Sequence, residues 1–335
     1  MISLKKSSSA ETNDGPKLAF RDRFDAWWTG KPARPGGGSA TAQKSGEKGP
    51  VDEEAEARKQ AMRDEARAAS AAANAVPDTN WSEIRRKIAQ IAWGDGFNAP
   101  GGTALATELS QPLQLDKSSS LIEIGAGMGG STREIAAATG AYVTAWELDP
   151  ELAEEGAVQA DVLGLEKKAS VLVLDLETYE FKKNFYTGAL IHEALFRLEH
   201  KETLLKSVID SMKIEGQIAI WDLFFEEPQP DGALQEWLTG ENGEAYPWSS
   251  ESARDFLTEN SIDIRVSNDE TERYCAMAID AWSEFVRQIT EDPVGEDMVI
   301  TVVREVERWS RRIAAMQSGE LKVYRFSGIK RKPVE

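Results

Sequence analysis

Residues 121–149, LIEIGAGMGGSTREIAAATGAYVTAWELD, constrain the fold of this 335-residue chain more than any other stretch. They read as a buried strand over 121–124, a turn carrying Gly125, Gly127, Gly129 and Gly130, a helix from Ser131, and a second strand ending in Glu147. A turn this rich in glycine leaves no Cβ in the way of a ligand. The helix N-terminus adds oriented N–H groups, and an acid closing the next strand can accept both hydroxyls of a ribose. The pattern predicts a nucleoside-cofactor site.

Two cofactor classes fit that turn. Gly125-x-Gly127-x-x-Gly130, with Glu147 about twenty residues on, satisfies the dinucleotide pattern. Two further acids favour S-adenosylmethionine (SAM). Glu123, two residues before the first glycine, is placed to hold a cationic amino group and would repel a pyrophosphate. Asp175 ends the apolar run VLVLD, where an adenine amino group would lie. Acids closing three successive strands suit a cationic, non-phosphorylated nucleoside. SAM is the expected cofactor, with a dinucleotide as the alternative.

Composition narrows the class. The lone Cys275 excludes an internal disulfide, and no apolar run approaches a membrane span. The N-terminal MISLKKSSSAETNDG has lysines but no apolar core, so it does not read as a secretory signal, and a cytoplasmic protein is expected. The net charge of −18 falls in residues 81–335, because the first 80 residues are nearly balanced. A globular part this acidic argues against nucleic acid and anionic membranes as partners. No Cys/His cluster suggests a metal, and no G-x-S-x-G elbow suggests a hydrolase.

The chain divides into three parts. Residues 1–50, rich in Ser, Gly, Pro and Lys, cannot bury enough apolar surface to fold alone and are expected to be a disordered tail. One island interrupts them, a short helix over 18–29 whose Phe20, Phe24, Trp27 and Trp28 share a face. It suits either a clamp on its own catalytic domain or docking to a protein partner. Residues 51–80 read as a charged, Ala-rich helix or linker. From 81 to 335 the pattern is globular. Strand-like runs fall near 120–124, 142–147, 170–175, 186–191, 216–222, 262–267 and 321–329, with helical patterns between most of them. This alternation predicts an α/β fold, a doubly wound and mostly parallel seven-stranded sheet. A helical insertion at about 271–318 precedes a last strand expected to pair antiparallel.

These residues resemble class I SAM-dependent methyltransferases, a Rossmann-like group, and within them the phosphoethanolamine N-methyltransferases. The likeness covers about 88–332. It runs through IAWGDGFNAPGG (91–102), the glycine turn, FYTGALIHEALFRLEHKETLLKSVIDSMKIEGQIAIWDLF (185–224), DFLTENSIDIRVSNDET (255–271) and WSRRIAAMQSGELKVYRFSGIKRK (309–332). The resemblance implies a cofactor set of Glu123, Gly125, Gly127 and Gly129, with Glu147 and Leu148 at the ribose and Asp175 and Leu176 at the adenine. Glu193 falls on an aspartate beside the family's substrate amine.

The acceptor end departs from the family. Its catalytic tyrosine and histidine are matched by Trp81 and Arg197, and a later tyrosine by Leu223. The family's phosphate-gripping cluster lines up with TGENGEA (239–245), which has two glutamates and no cation. Arg312 alone carries over a phosphate-binding charge. This predicts an acidic acceptor pocket, ill suited to a phosphate dianion.

Glu193 and His192 are the candidates for handling the acceptor proton, with Arg197 beside them. Since neighbours on an extended strand point to opposite sides, only one of His192 and Glu193 is expected to face the pocket. Asp95, Trp221 and Asp222 are expected at the acceptor, with Trp237, Tyr246 and Trp248 as an aromatic wall. The expected activity is methyl transfer from SAM to a small polar acceptor, an amine. The alternative is a methyltransferase-fold protein that keeps SAM for binding or regulation without catalysis.

Overall fold

The computed structural model describes residues 81–333 apart from 227–231, 242–244, 247 and 292–294. The tail at 1–50 with its aromatic island, and the Ala-rich segment at 51–80, lie outside the described residues. All seven apolar runs form strands: β1 (Ser120–Ile124), β2 (Tyr142–Glu147), β3 (Ala169–Val173), β4 (Tyr186–His192), β5 (Met212–Phe225), β6 (Ile262–Asp269) and β7 (Leu321–Lys330). They make one sheet in the order β3-β2-β1-β4-β5-β7-β6. β1 to β5 pair in parallel, and β7 runs antiparallel between β5 and β6. Central strands covered on both faces read as continuous apolar runs, which is how LIEI and GALI look in β1 and β4.

Helices α1 (Glu83–Trp93) and α2 (Gly102–Ser110) precede the sheet. α3 (Gly130–Thr139), α4 (Pro150–Val162) and α5 (Lys201–Ser211) alternate with its parallel strands. α6 (Gly232–Gly240) and α7 (Ser250–Glu259) follow β5, and α8 (Thr271–Glu291) and α9 (Glu296–Ser318) fill the predicted insertion. Local chemistry sets the boundaries. Asp149 caps α4 by accepting the N–H groups of Glu151 and Leu152 at 2.9 and 3.1 Å, with Pro150 in the first turn. α3 starts and ends at left-handed glycines, Gly129 and Gly140. Among the described residues no helix is long and apolar enough to cross a membrane.

The main core lies between the sheet and its helices, with Ile122, Ile124, Ile191, Leu205 and Phe224 among its members. A second small core joins Ile88 of α1, Phe285 of α8 and Met298 of α9, so these helices form a cap of their own. An aromatic column connects this cap to the sheet: Trp221 of β5, Tyr274 of α8, Trp309 of α9 and Trp93 of α1, with successive ring centroids 6.4, 6.2 and 4.6 Å apart. Each such contact adds about 0.5–1.5 kcal/mol beyond its buried area.

That column corrects the expected role of Trp221, whose fully buried ring packs in it instead of reaching an acceptor. Asp222 is corrected likewise. Its buried carboxylate accepts the N–H groups of Ala194, Leu195, Phe196 and Leu223, fastening the turn after β4 to β5. Burial pushes its pKa up to about 6 against the pull of those four donors. Asp222→Ala would leave buried donors without partners, at a cost of about 3 kcal/mol or more. Denaturant unfolding should show that loss. An unchanged midpoint would mean that the turn is held by other contacts.

Candidate active site

β1 lies between β2 and β4, so the chain winds off in opposite directions on its two sides. In such sheets a crevice opens beyond the carboxyl ends of the strands. Here it encloses about 660 Å³ including its open mouth. The sheet contributes Gly125, Glu147, Leu148, His192, Glu193 and Arg197, while the cap contributes Trp81, Arg85, Glu305, Arg308, Trp309 and Arg312.

One end of the cleft is built on the glycine turn. Glu147 points into it, accepting the N–H of Gly127 at 2.7 Å and that of Asp149 at 3.0 Å. Burial raises its pKa, partly offset by those bonds. Leu148 and Leu152 supply an apolar wall beside it. The turn is also packed from above. A Cβ on Gly127 would lie 2.3 Å from Oδ1 of Asn98, and Gly130 donates its N–H to the carbonyl of Gly96 at 2.9 Å. The WGDGFN segment therefore closes directly over the glycines.

The other end centres on Glu193. Its backbone has φ 46°, a left-handed conformation uncommon for a side chain of this size and a form of strain that gathers at functional sites. This turns Glu193 out of the strand direction, so both His192 and Glu193 line the cleft, and the expectation that only one would do so is corrected. Oε2 of Glu193 accepts the Tyr274 hydroxyl at 2.9 Å and Nη1 of Arg312 at 3.4 Å. Oε1 has no hydrogen-bond partner and lies 3.9 Å from Nε2 of His192. Burial raises the pKa of Glu193 against the pull of Arg312, Tyr274 and Arg197. Glu241 takes Nη2 of Arg312 at 2.9 Å and the Trp237 indole N–H at 2.8 Å. Burial would raise its pKa, but Arg312 and Arg197 outweigh it and the net shift is downward.

Several expected site residues lie elsewhere. Glu123 is fully buried behind the turn, where Ser131 and Thr132 of α3 donate to its two oxygens, so it ties helix to strand and is outside the cleft lining. Asp175 and Leu176 are exposed beyond the end of β3, outside the cleft lining, and Asp175 caps its own turn through Glu177 and Thr178. Asp95 is exposed, and Asn98 three residues on reaches the glycines in its place. Trp237 and Trp248 pack against Phe225 and Phe224, and Tyr246 is also outside the cleft lining; Trp81 and Trp309 are the aromatics that line it. Arg312 is buried and committed to Glu193, Glu241 and Tyr274, which leaves it poorly placed to grip a phosphate.

Nor is the cleft simply acidic. Four arginines line it together with four glutamates. Glu305, Arg308, Trp309 and Arg312 stand at i, i+3, i+4 and i+7 of α9, a helical stripe visible in the sequence. Tyr274 carried no such signal, because its partner Glu193 is 81 residues away.

A family model described as a methyltransferase domain matches residues 122–220. No curated protein matches the chain in sequence. Among solved structures, phosphoethanolamine N-methyltransferase 2 of Haemonchus contortus, in complex with S-adenosyl-L-methionine, superposes with a TM-score of 0.66 at 15% identity. That match covers 76% of this chain and 59% of that one, so the chain spans well under two thirds of its length. The [4+2]-cyclase SpnF gives a TM-score of 0.60 at 13% identity over 76% and 95% of the two chains. A putative sarcosine dimethylglycine methyltransferase from Galdieria sulphuraria gives 0.57 at 16% over 69% and 85%. The protein thus has the class I methyltransferase fold and resembles the phosphoethanolamine N-methyltransferases.

Burial lowers the pKa of His192 to about 4, against the opposing charge of Asp222. The folded value lies below the unfolded one, so the neutral ring favours the fold at pH 7 and that advantage is lost as pH falls from 6.5 toward 4. Imidazole NMR should find His192 neutral at pH 5.5. A midpoint near 6.5 would mean that the ring is solvated and the cleft more open than described.

Proposed function

We propose that the protein is a SAM-dependent methyltransferase acting on a small polar acceptor, an amine, with Glu193 orienting the nucleophile. The observation that carries this reading is the pairing, in one switch-point cleft, of a ribose-type acid beside a glycine turn with a buried carboxylate that has one oxygen open. Gly125, Gly127, Glu147, Leu148 and Leu152 would hold the cofactor, which when bound supplies a methyl group on a sulfonium. The donor set fits. Glu147 is buried with only two backbone N–H bonds, and two ribose hydroxyls would add the donors that a buried carboxylate needs. Its charge suits a cationic ligand.

The remaining steps belong to side chains of the chain itself. An ammonium acceptor must lose a proton to expose its lone pair, and a carboxylate raised toward the working pH is suited to take it. Arg312 and Tyr274 fix Oε2 of Glu193, leaving Oε1 free to accept an amine N–H and aim the nitrogen. Trp81 and Trp309 wall the cleft and limit water, which strengthens each polar contact inside.

Labelled-methyl transfer from SAM into a mixture of small amines tests this. Glu193→Ala should lower transfer about 100-fold or more, the usual contribution of a positioned base. Binding of SAM without any transfer would support the non-catalytic alternative. Glu147→Ala should weaken SAM binding by about 1.5–3 kcal/mol in calorimetry, and an unchanged affinity would show that the ribose site is misplaced. Activity needs ionised Glu193 and so falls as pH drops through its raised pKa. The Tyr274 bond lowers that pKa, so Tyr274→Phe should move the acidic limb to higher pH; a shift to lower pH would exclude Glu193 as the group responsible.

A further inference from the structure

We infer that the acceptor is an amine carrying a single carboxylate, with Arg197 as the residue that selects it. This rests on the methyltransferase reading and specifies its substrate class. The cleft holds four guanidinium groups, and three are already committed. Arg312 is shared by Glu193 and Glu241. Arg85 and Arg308 both pair with Glu305, at 2.8 and 2.9 Å. Arg197 differs. Among the described residues its guanidinium makes no hydrogen bond or ion pair, and its Cζ lies 5.2 Å from the ring centroid of the adjacent Phe196. It nevertheless lines the cleft, and its charge is felt at Glu147, Glu193 and Glu241.

Among the described residues, the open polar groups of the acceptor end include the Arg197 guanidinium, Oε1 of Glu193 and Nε2 of a neutral His192, with Nε of the otherwise committed Arg312 beside them. An amine fits Oε1 and Nε2. The guanidinium calls for an anion, and its charge decides which. A carboxylate is a monoanion whose two oxygens match the planar fork of one arginine. A phosphate monoester near neutral pH carries close to two charges, and only one would be met. The second would stand unpaired in a low-dielectric cleft beside three carboxylates. Arg197 follows Glu193 by four residues on the same connection after β4, so the two groups are held as one unit at the acceptor end.

Calorimetry on the full chain with S-adenosylhomocysteine present tests the inference. The probes are glycine, sarcosine and β-alanine against glycinamide, ethanolamine and phosphoethanolamine. The carboxylated amines should bind at least about tenfold tighter than glycinamide and ethanolamine, with phosphoethanolamine no tighter than ethanolamine. Arg197→Gln should bring the ratio of carboxylated to uncharged amines close to one, and Arg197→Lys should restore part of it. The wild-type ratios stand even if a variant fails to fold. Tightest binding by phosphoethanolamine, no binding by any carboxylated amine, or an Arg197→Gln ratio equal to wild type would overturn the inference. So would an Arg197→Gln variant that loses S-adenosylhomocysteine affinity but keeps the ratio, since the guanidinium would then serve the cofactor's own carboxylate. S-adenosylhomocysteine binding by the wild type leaves the methyltransferase reading intact in each of these cases, and its absence would sink both.

Discussion

One guanidinium, that of Arg312, joins the cap to the sheet. Arg312 sits on α9, and its two anionic partners come from the end of β4 (Glu193) and from the residue after α6 (Glu241), with the hydroxyl of Tyr274 from α8 alongside. Its flat faces are packed as well, with the Trp309 ring centroid 4.9 Å from Cζ. Buried ion pairs add little net stability, but losing one partner strands the others at a cost of about 3–5 kcal/mol. The gain here is one of geometry, because four separate elements are fixed around one carboxylate.

That geometry explains how a strained residue is tolerated. Glu193 holds a positive φ, for which glycine would be the relaxed choice. Three neighbouring restraints hold it there. Its N–H bonds to the Trp221 carbonyl at 2.9 Å, its Oε2 is bonded to Tyr274 and Arg312, and the next three N–H groups converge on Asp222. Asp222 was legible in the sequence as a strand-end acid in the right place. What could not be read was which way it faces, inward to hold the turn that presents Glu193.

The sheet was legible because burial on two faces leaves a local trace: apolar runs of strand length, separated by turns and amphipathic helices. The glycine turn was legible for a similar reason, since Gly125, Gly127 and Glu147 lie in one βαβ unit whose spacing is fixed by its geometry. Glu123 shows the limit of such reading. It stands two residues before the first glycine, but the hydroxyls of Ser131 and Thr132, eight and nine residues on, hold it behind the turn. The acceptor end was barely legible. Arg85, Glu241, Tyr274 and Arg312 come from four helical segments whose approach depends on tertiary packing, and counting the charges of one segment missed the arginines that others bring. Trp81 and Arg197, at the positions of the resembled family's tyrosine and histidine, do reach the cleft, but their roles depend on partners that only the fold supplies.

The two ends of the cleft also differ in how they are built. At the glycine-turn end Glu147 is already fixed by two backbone N–H groups, beside a turn held between two strands of the sheet. A ligand there meets groups that need not move, so little ordering cost opposes binding. The acceptor end is walled by side chains of α1 and α9 and by Glu241 after α6, elements joined to the sheet by packing and by Arg312 and outside its backbone ladder. Substitutions in those helices can reshape that wall without disturbing a strand. A fold so divided can keep one nucleoside site while its second site takes on acceptors of different charge. The same division gives Arg197 its importance, because it is the cation that the sheet itself presents, on the connection that carries Glu193, to whatever the cap encloses.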